Sequence, residues 1–316
     1  MLTNKQIDNA GERLLSEPTE RDYAVIYEYR MPHWHLMISL VNTIAKKLPK
    51  PQVLARRIKR ISSIKTKIAR MHTRLSSMQD IGGVRAIFRD DAEVEAFARK
   101  VRAAYSSARC RLRIIKENNY IEQPKPDGYR SHHIIFQYCG GTGEQEKYNG
   151  LKVELQLRTL AQHAWATAVE IVGTIDRANE IKQGRGTADY REFFEIASAV
   201  LHDCATEKQI ERIREIDKKE HIINKIQALK VAMKQPASAN KNLLILNYEQ
   251  KTLQIQPFND NDIFSQKLYE KFDTDEHFDT VLVNLSDIKK LKKAYPNYYL
   301  DASDFVARLG KKLGYK

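Results

Sequence analysis

Residues 153–166 read VELQLRTLAQHAWA. Val153, Leu155 and Leu157 alternate with Glu154, Gln156 and Arg158, the period of a β-strand. The apolar set would face a core, and three polar side chains would then share the other sheet face. A Gln-x-Arg-Thr run leads straight into a helical pattern over 159–178. A strand that feeds a helix and carries acid, amide and guanidinium on one face points to a mixed α/β fold with a site on its sheet. Glu154 is there a candidate Mg²⁺ ligand, or the base that deprotonates an acceptor hydroxyl.

Working outward, MQDIGGVRAIF (78–88) sets Asp80 before a Gly-Gly pair and a β-rich run holding Arg85. A carboxylate at a sheet edge is a common Mg²⁺ ligand, and an arginine beside it can hold a phosphate. NNYIEQPKPDGYRSHHIIF (118–136) gives a loop stiffened by two prolines, with Tyr129 and His133 four residues apart where a strand starts. A tyrosine beside glycine in a basic loop is a stacking platform for a base. Upstream, Arg57 and Lys59 precede a helix capped by Ser62 or Ser63, whose Ser63, Lys67, Arg70 and Arg74 share one face. Two guanidiniums and two ammoniums there can grip a triphosphate and stack on adenine. Further strands are expected at 112–115, 134–138 and 152–157, and helices at 33–48, 91–107, 190–204 and 206–234.

The charge has a location. The chain of 316 residues carries a net +13, yet from Tyr29 to Gln79 there are 12 basic residues and no acid. The last 77 residues contribute only +1. A concentrated positive field implies a polyanionic partner, nucleotide or nucleic acid, although a solvated basic helix has the same composition. Arg56, Arg60, Arg74, Lys46, Lys47 and Lys50 exceed what a mononucleotide donor needs, which argues for RNA. Cys110, Cys139 and Cys204 form neither a zinc pattern nor a disulfide framework. With no apolar run long enough to span a membrane and no signal-peptide core, the expected location is cytoplasmic.

Taken in order, these segments resemble the RelA/SpoT-type pyrophosphokinases, the alarmone synthetase family, over roughly residues 50–180. PKPDGYRSHH, VELQLRT, MQDIGGVRAIF and RIKRISSIKTKIAR each resemble a motif of that family. The resemblance implies a nucleotidyltransferase-like mixed sheet flanked by helices, and transfer of the β,γ-diphosphate of ATP to a ribose 3′-hydroxyl with Mg²⁺. It implies Arg57 and Arg70 around the adenine, with Ser63 in the same ATP-binding helix. Lys59, Lys67 and Arg85 would lie on the triphosphate, Asp80 and Glu154 on Mg²⁺, and Glu154 would also be the base. Tyr129 would stack on the acceptor's base, and Lys125, His133, Gln156 and Arg158 would position its phosphates or ribose. Fewer than 80 residues precede Asp80, so a synthetase without the family's hydrolase domain is expected; His202-Asp203 is read as structural.

Residues 234–241 (KQPASANK) read as a linker between a synthetase unit, 1–235, and a small α/β unit, 240–316. In that tail, KKAYPNYYLDASDFV holds Tyr295-Pro-Asn-Tyr298, and no cysteine follows Cys204. It resembles the C-terminal antitoxin, a pseudo zinc finger, of CapRel-type fused toxin–antitoxins. That resemblance implies a tyrosine pair, Tyr295 and Tyr298, occluding the ATP site, the 3′-CCA end of tRNA as acceptor, and a phage capsid protein as activator. Asp127 in the acceptor loop would repel the 5′-phosphates of GTP, which favours tRNA over a (p)ppGpp synthetase using GDP or GTP. A non-catalytic RNA-binding module is the third expectation, disfavoured because both acids and both ATP-site arginines are present.

Overall fold

The protein is described here by a computed structural model covering residues 2–175, 188–227, 232–233, 241–247, 249–259, 262–275, 277–283 and 292–315. Its main sheet has five strands: β1 (Val53–Ile58), β2 (Gly82–Phe88), β3 (Leu112–Asn119), β4 (His132–Tyr138) and β5 (Lys152–Thr159), in spatial order β1-β2-β5-β4-β3. Only β2 and β5 run parallel; the other neighbours are antiparallel. The mixed α/β expectation therefore holds.

The alternation read in 153–158 explains both faces of this sheet. Val84, Ala86, Ile134, Phe136, Val153, Leu155 and Leu157 form one core with α3 (His33–Lys47) and α5 (Asp91–Ala104). On the opposite face the register aligns Arg57 with Gly83 and Gly83 with Glu154. One step along, Ala55 pairs with Arg85, Arg85 with Gln156, and Gln156 with His133. Further along that face Val53, Ala55 and Ile87 are covered by a cluster that includes α6 (Leu160–Ile175) and α7 (Ala188–Leu201). Chemistry is thus confined to the uncovered end of one sheet face.

Two elements at the start of the chain, α1 (Asn4–Arg13) and α2 (Glu20–Arg30), were not anticipated, and neither was edge strand β1. In α4 (Ile61–Met71) the N-cap is Arg60, so Ser62 and Ser63 lie inside the first turn rather than capping it. The helix expected over 206–234 breaks at His221, which adopts φ 53°; it forms α8 (Glu207–Glu220) and α9 (Ile222–Gln227).

The tail builds a second sheet in the order β6-β8-β7-β9, from β6 (Ala232–Met233), β7 (Asn242–Asn247), β8 (Thr252–Pro257) and β9 (Phe278–Val283). Helices α10 (Ile263–Thr274) and α11 (Ser303–Leu313) complete it. The apolar runs Leu243–Leu246 of β7 and Val281–Val283 of β9 mark strands buried on both faces. Leu243, Ile245 and Leu282 pack with α1, α2 and α4, while Leu244, Leu246, Val281 and Val283 pack with the α6–α9 side. Two ion pairs cross the same boundary. Arg30, fully buried, donates to Asp273 Oδ2 at 2.7 Å and to the Tyr269 hydroxyl at 2.9 Å. Arg60 pairs with Asp279. All of the linker expected at 234–241 except Lys241 lies outside the described residues. Among those described, no helix is long and apolar enough to cross a membrane.

Candidate active site

The uncovered end of the sheet carries a pocket of about 420 Å³ of atom-free space, part of it open to solvent. Arg56, Arg57 and Lys59 line it from β1 and its exit, Asp80 and Arg85 from around β2, and Glu154 and Gln156 from β5. Tyr295 from the tail also lines it.

On the β1 side, Asp80 accepts from Lys59 Nζ at 3.0 Å and from Lys67 Nζ at 2.9 Å. Burial works against its charge, but the two ammonium groups outweigh burial and hold the carboxyl well below the usual range. Burial also lowers Lys59 against the pull of Asp80. Arg85 is brought down to about 10 by burial and by the like charges of Arg158 and Arg57. Its Nε is buried without a hydrogen-bond partner among the described residues. Tyr295 sits among these cations, 4% exposed, and donates its hydroxyl to the Arg56 carbonyl at 2.7 Å. Burial pushes its phenol up to about 12, countered by Arg85, Arg57 and Arg56.

On the β4 side the polar groups bind one another. His133 Nδ1 meets Glu154 Oε1 at 2.8 Å, and Nε2 meets the Tyr129 hydroxyl at 2.8 Å. Gln156 Nε2 donates to Glu154 Oε2 at 2.6 Å, and Arg158 donates to the Tyr129 hydroxyl at 2.8 Å. Burial opposes the charge of Glu154, yet His133 keeps its carboxyl below the ordinary value. Burial opposes the imidazolium too, but Tyr129 and Glu154 raise His133 to about 9. Tyr129, against burial, is brought to about 7 by Arg158 and His133.

The loop before β4 is tied down from outside. Gly128 has φ 85°, and a Cβ there would come within 3.0 Å of Glu195 Cα and Ser198 Cβ on α7. Its carbonyl accepts from Ser198 Oγ at 2.6 Å, while Arg130 donates to Ser198 Oγ and the Ile121 carbonyl. Lys125 lies 4.6 Å and 4.9 Å from the ring centres of Tyr120 and Tyr129.

Sequence reasoning therefore located Arg57, Lys59, Asp80, Arg85, Glu154 and Gln156 on one pocket, with Lys67 reaching it through Asp80. Ser63 and Arg70 do not line it; Arg70 is exposed, one turn of α4 beyond Lys67. Tyr298 does not line it either. The 3-10 turn Pro296–Tyr299 carries it away, and its hydroxyl donates to Asp279 Oδ1 at 2.8 Å inside the tail. Tyr120 and His163 were not singled out, and Arg56, counted among the surplus charges for RNA, lines the pocket instead. Arg56 lies over the Trp34 ring at 4.9 Å, and His163 Nε2 reaches the Lys293 carbonyl at 3.2 Å. Only the QHAW run on α6 marked His163, and no spacing rule links it to a tail residue.

Asp80 and Glu154 face one pocket as ionised carboxylates. Two hard oxygen donors suit Mg²⁺ when phosphate and water oxygens complete its shell. Among the described residues no cluster of three or more His, Cys, Asp or Glu is placed to hold a metal alone.

Residues 56–172 match the family described as the region found in RelA / SpoT proteins. Two curated relatives come from Bacillus subtilis (strain 168). GTP pyrophosphokinase YjbM is 35% identical over 35% of this chain and 51% of its own length. GTP pyrophosphokinase YwaC is 29% identical over 44% of this chain and 60% of its own. The chain thus spans between half and three-fifths of the curated relatives it matches. Among solved structures, a GTP pyrophosphokinase family protein from Streptococcus pneumoniae aligns over 65% of this chain and 98% of its own at 26% identity, TM-score 0.45. Small alarmone synthetase 1 from Bacillus subtilis, bound to its product pppGpp, aligns over 66% and 100% at 21% identity, TM-score 0.44. The matched region runs from β1 into α6, so it holds every pocket-lining residue except Ala55, at its edge, and Tyr295.

Proposed function

We propose that this chain is an ATP-dependent pyrophosphotransferase that moves the β,γ-diphosphate of ATP to a ribose 3′-hydroxyl, and that Tyr295 holds it inactive in the form described. The observation that carries this reading is a pocket where Arg56, Arg57, Lys59 and Arg85 converge with Asp80 around a neutral phenol. A triphosphate supplies the negative charge that such a pocket lacks, and a phenol does not. Arg57 takes the adenine, while Lys59, Lys67 and Arg85 hold the phosphates. Arg70 and Ser63 join the ATP site only if α4 rearranges when nucleotide binds.

Mg²⁺ would be held by Asp80 and Glu154, where it neutralises phosphate charge. Glu154 accepts the proton of the acceptor hydroxyl, whose oxygen attacks the β-phosphorus as AMP leaves with the former bridging oxygen. Tyr129 stacks on the acceptor's base, and Lys125, Gln156 and Arg158 lie around it.

The acceptor we propose is the 3′-terminal ribose of tRNA, which would stop translation. Lys46, Lys47, Lys50, Arg70 and Arg74 are exposed on α3, α4 and their flanks, and such surface cations suit a phosphate backbone. Release requires an activator that binds the tail more tightly with Tyr295 out of the pocket. A phage capsid protein, the activator the resemblance implies, fits that part in antiphage defence. A second reading, a (p)ppGpp synthetase using GDP or GTP, is favoured by the names of both curated relatives. The test is to incubate the Tyr295→Ala chain with γ-labelled ATP and either GDP and GTP or total tRNA. Label in tRNA supports the first reading, label in guanosine nucleotides the second, and label in neither contradicts both.

A further inference from the structure

His133 has no ring nitrogen left for a ligand. Nδ1 is bound to Glu154 at 2.8 Å and Nε2 to the Tyr129 hydroxyl at 2.8 Å. The ring is 8% exposed and fixed edge-on by Tyr120, 5.2 Å away at 90°, and by Tyr129, 5.8 Å away at 86°. The register places His133 directly across from Gln156, the residue whose amide holds the second oxygen of Glu154. Both carboxylate oxygens are therefore directed from β4 and β5, and neither is free to rotate without breaking a bond. An acceptor phosphate could reach His133 only by displacing Glu154 or Tyr129.

We propose that His133 is a positioning residue that orients Glu154 and couples it to the hydroxyl of Tyr129, in place of the acceptor-phosphate role expected from sequence. The proposal rests on reading Glu154 as the base. Its consequence is a readout of acceptor binding. A base stacked on the Tyr129 ring fixes the ring, the hydroxyl fixes the imidazole, and the imidazole fixes the carboxylate that takes the proton. Tyr129 then has two separable jobs, one for its ring and one for its oxygen.

Tyr129→Phe separates them, because it keeps the ring and removes the oxygen. In the full-length Tyr295→Ala chain, with γ-labelled ATP and either GDP or total tRNA, Tyr129→Phe should lower kcat about tenfold or more while the acceptor KM stays within about twofold. His133→Asn, whose amide nitrogen falls near Nδ1, should retain more activity than His133→Ala. The His133→Ala/Tyr129→Phe double variant should be no slower than His133→Ala, since the hydroxyl acts through the imidazole; loss through Arg158 would instead add. Unchanged kcat in Tyr129→Phe, a rise in KM alone in His133→Ala, or additivity in the double would each overturn the proposal. A readout free of activity is the ¹⁵N imidazole spectrum of the unmutated chain. Tyr129→Phe should shift the His133 Nε2 resonance, and no shift contradicts the coupling. If neither acceptor takes label, the proposed function fails, and the spectrum still judges the coupling.

Discussion

On the β4 side of the pocket, Glu154, His133, Tyr129, Gln156 and Arg158 bind one another from the adjacent strands β4 and β5 and the loop before β4. On the β1 side, Arg57, Lys59 and Arg85 outnumber Asp80, and Tyr295 of the tail enters among them. In the first arrangement acid, imidazole and phenol are all bound without a ligand, while Arg158 Nε is buried with no hydrogen-bond partner among the described residues. The second is complete only with a guest, and the guest present is part of the chain. On the proposed reading the difference locates control: a tail residue at the donor pocket would regulate transfer without altering the groups proposed to handle the acceptor's proton.

Glu154→Ala in the Tyr295→Ala background should cut transfer by about 10²–10⁴, measured as initial rate of AMP release, while tail amides keep their exchange protection. Asp273→Ala strands the fully buried Arg30 charge without its acid and should cost about 3–5 kcal/mol in urea-melt stability. It should speed exchange in α10 and β9 before the β4–β5 network responds. A third lever is pH. His33 is fully buried, its Nδ1 meets the Tyr29 and Arg30 carbonyls, and burial depresses it to about 4. Because the unfolded chain then binds the proton more readily, this contribution is complete above about 6.5 and is lost as pH falls toward 4. The loss is about 3 kcal/mol, and urea melts of His33→Gln should show a flatter profile across that window. Smallest is Lys312→Ala, which removes an exposed pair with Asp203 joining α11 to the end of α7. It should change stability by no more than about 1 kcal/mol.

Local pattern made most of the main sheet legible. The alternation in 153–158 and the Gly-Gly before Val84 specify β5 and β2, because strand period and turn chemistry lie within ten residues. β1 escaped because VLARRI reads first as charge: two adjacent arginines hid the Val53–Ala55 alternation. One helix over 206–234 was a fair reading of composition, but His221 in the left-handed region breaks it. The expectation that two tyrosines plug the site failed for Tyr298, since a 3-10 turn after Pro296 sends the two rings to different neighbours, 6.5 Å apart at 78°. The surplus of basic residues was real in number but not wholly free for RNA. Arg30 and Arg60 are engaged by Asp273 and Asp279, partners more than two hundred residues away that no local period reveals. Tertiary pairing of this kind lies beyond what a sequence window can show.

The account turns on Tyr295 holding the place of a nucleotide, and equilibrium binding tests this without turnover. Calorimetric titration of a non-hydrolysable ATP analogue with Mg²⁺ into the unmutated chain and into Tyr295→Ala should show at least about tenfold tighter binding to the variant, within the usual range for a coupled conformational switch. Equal affinity for both chains would contradict it.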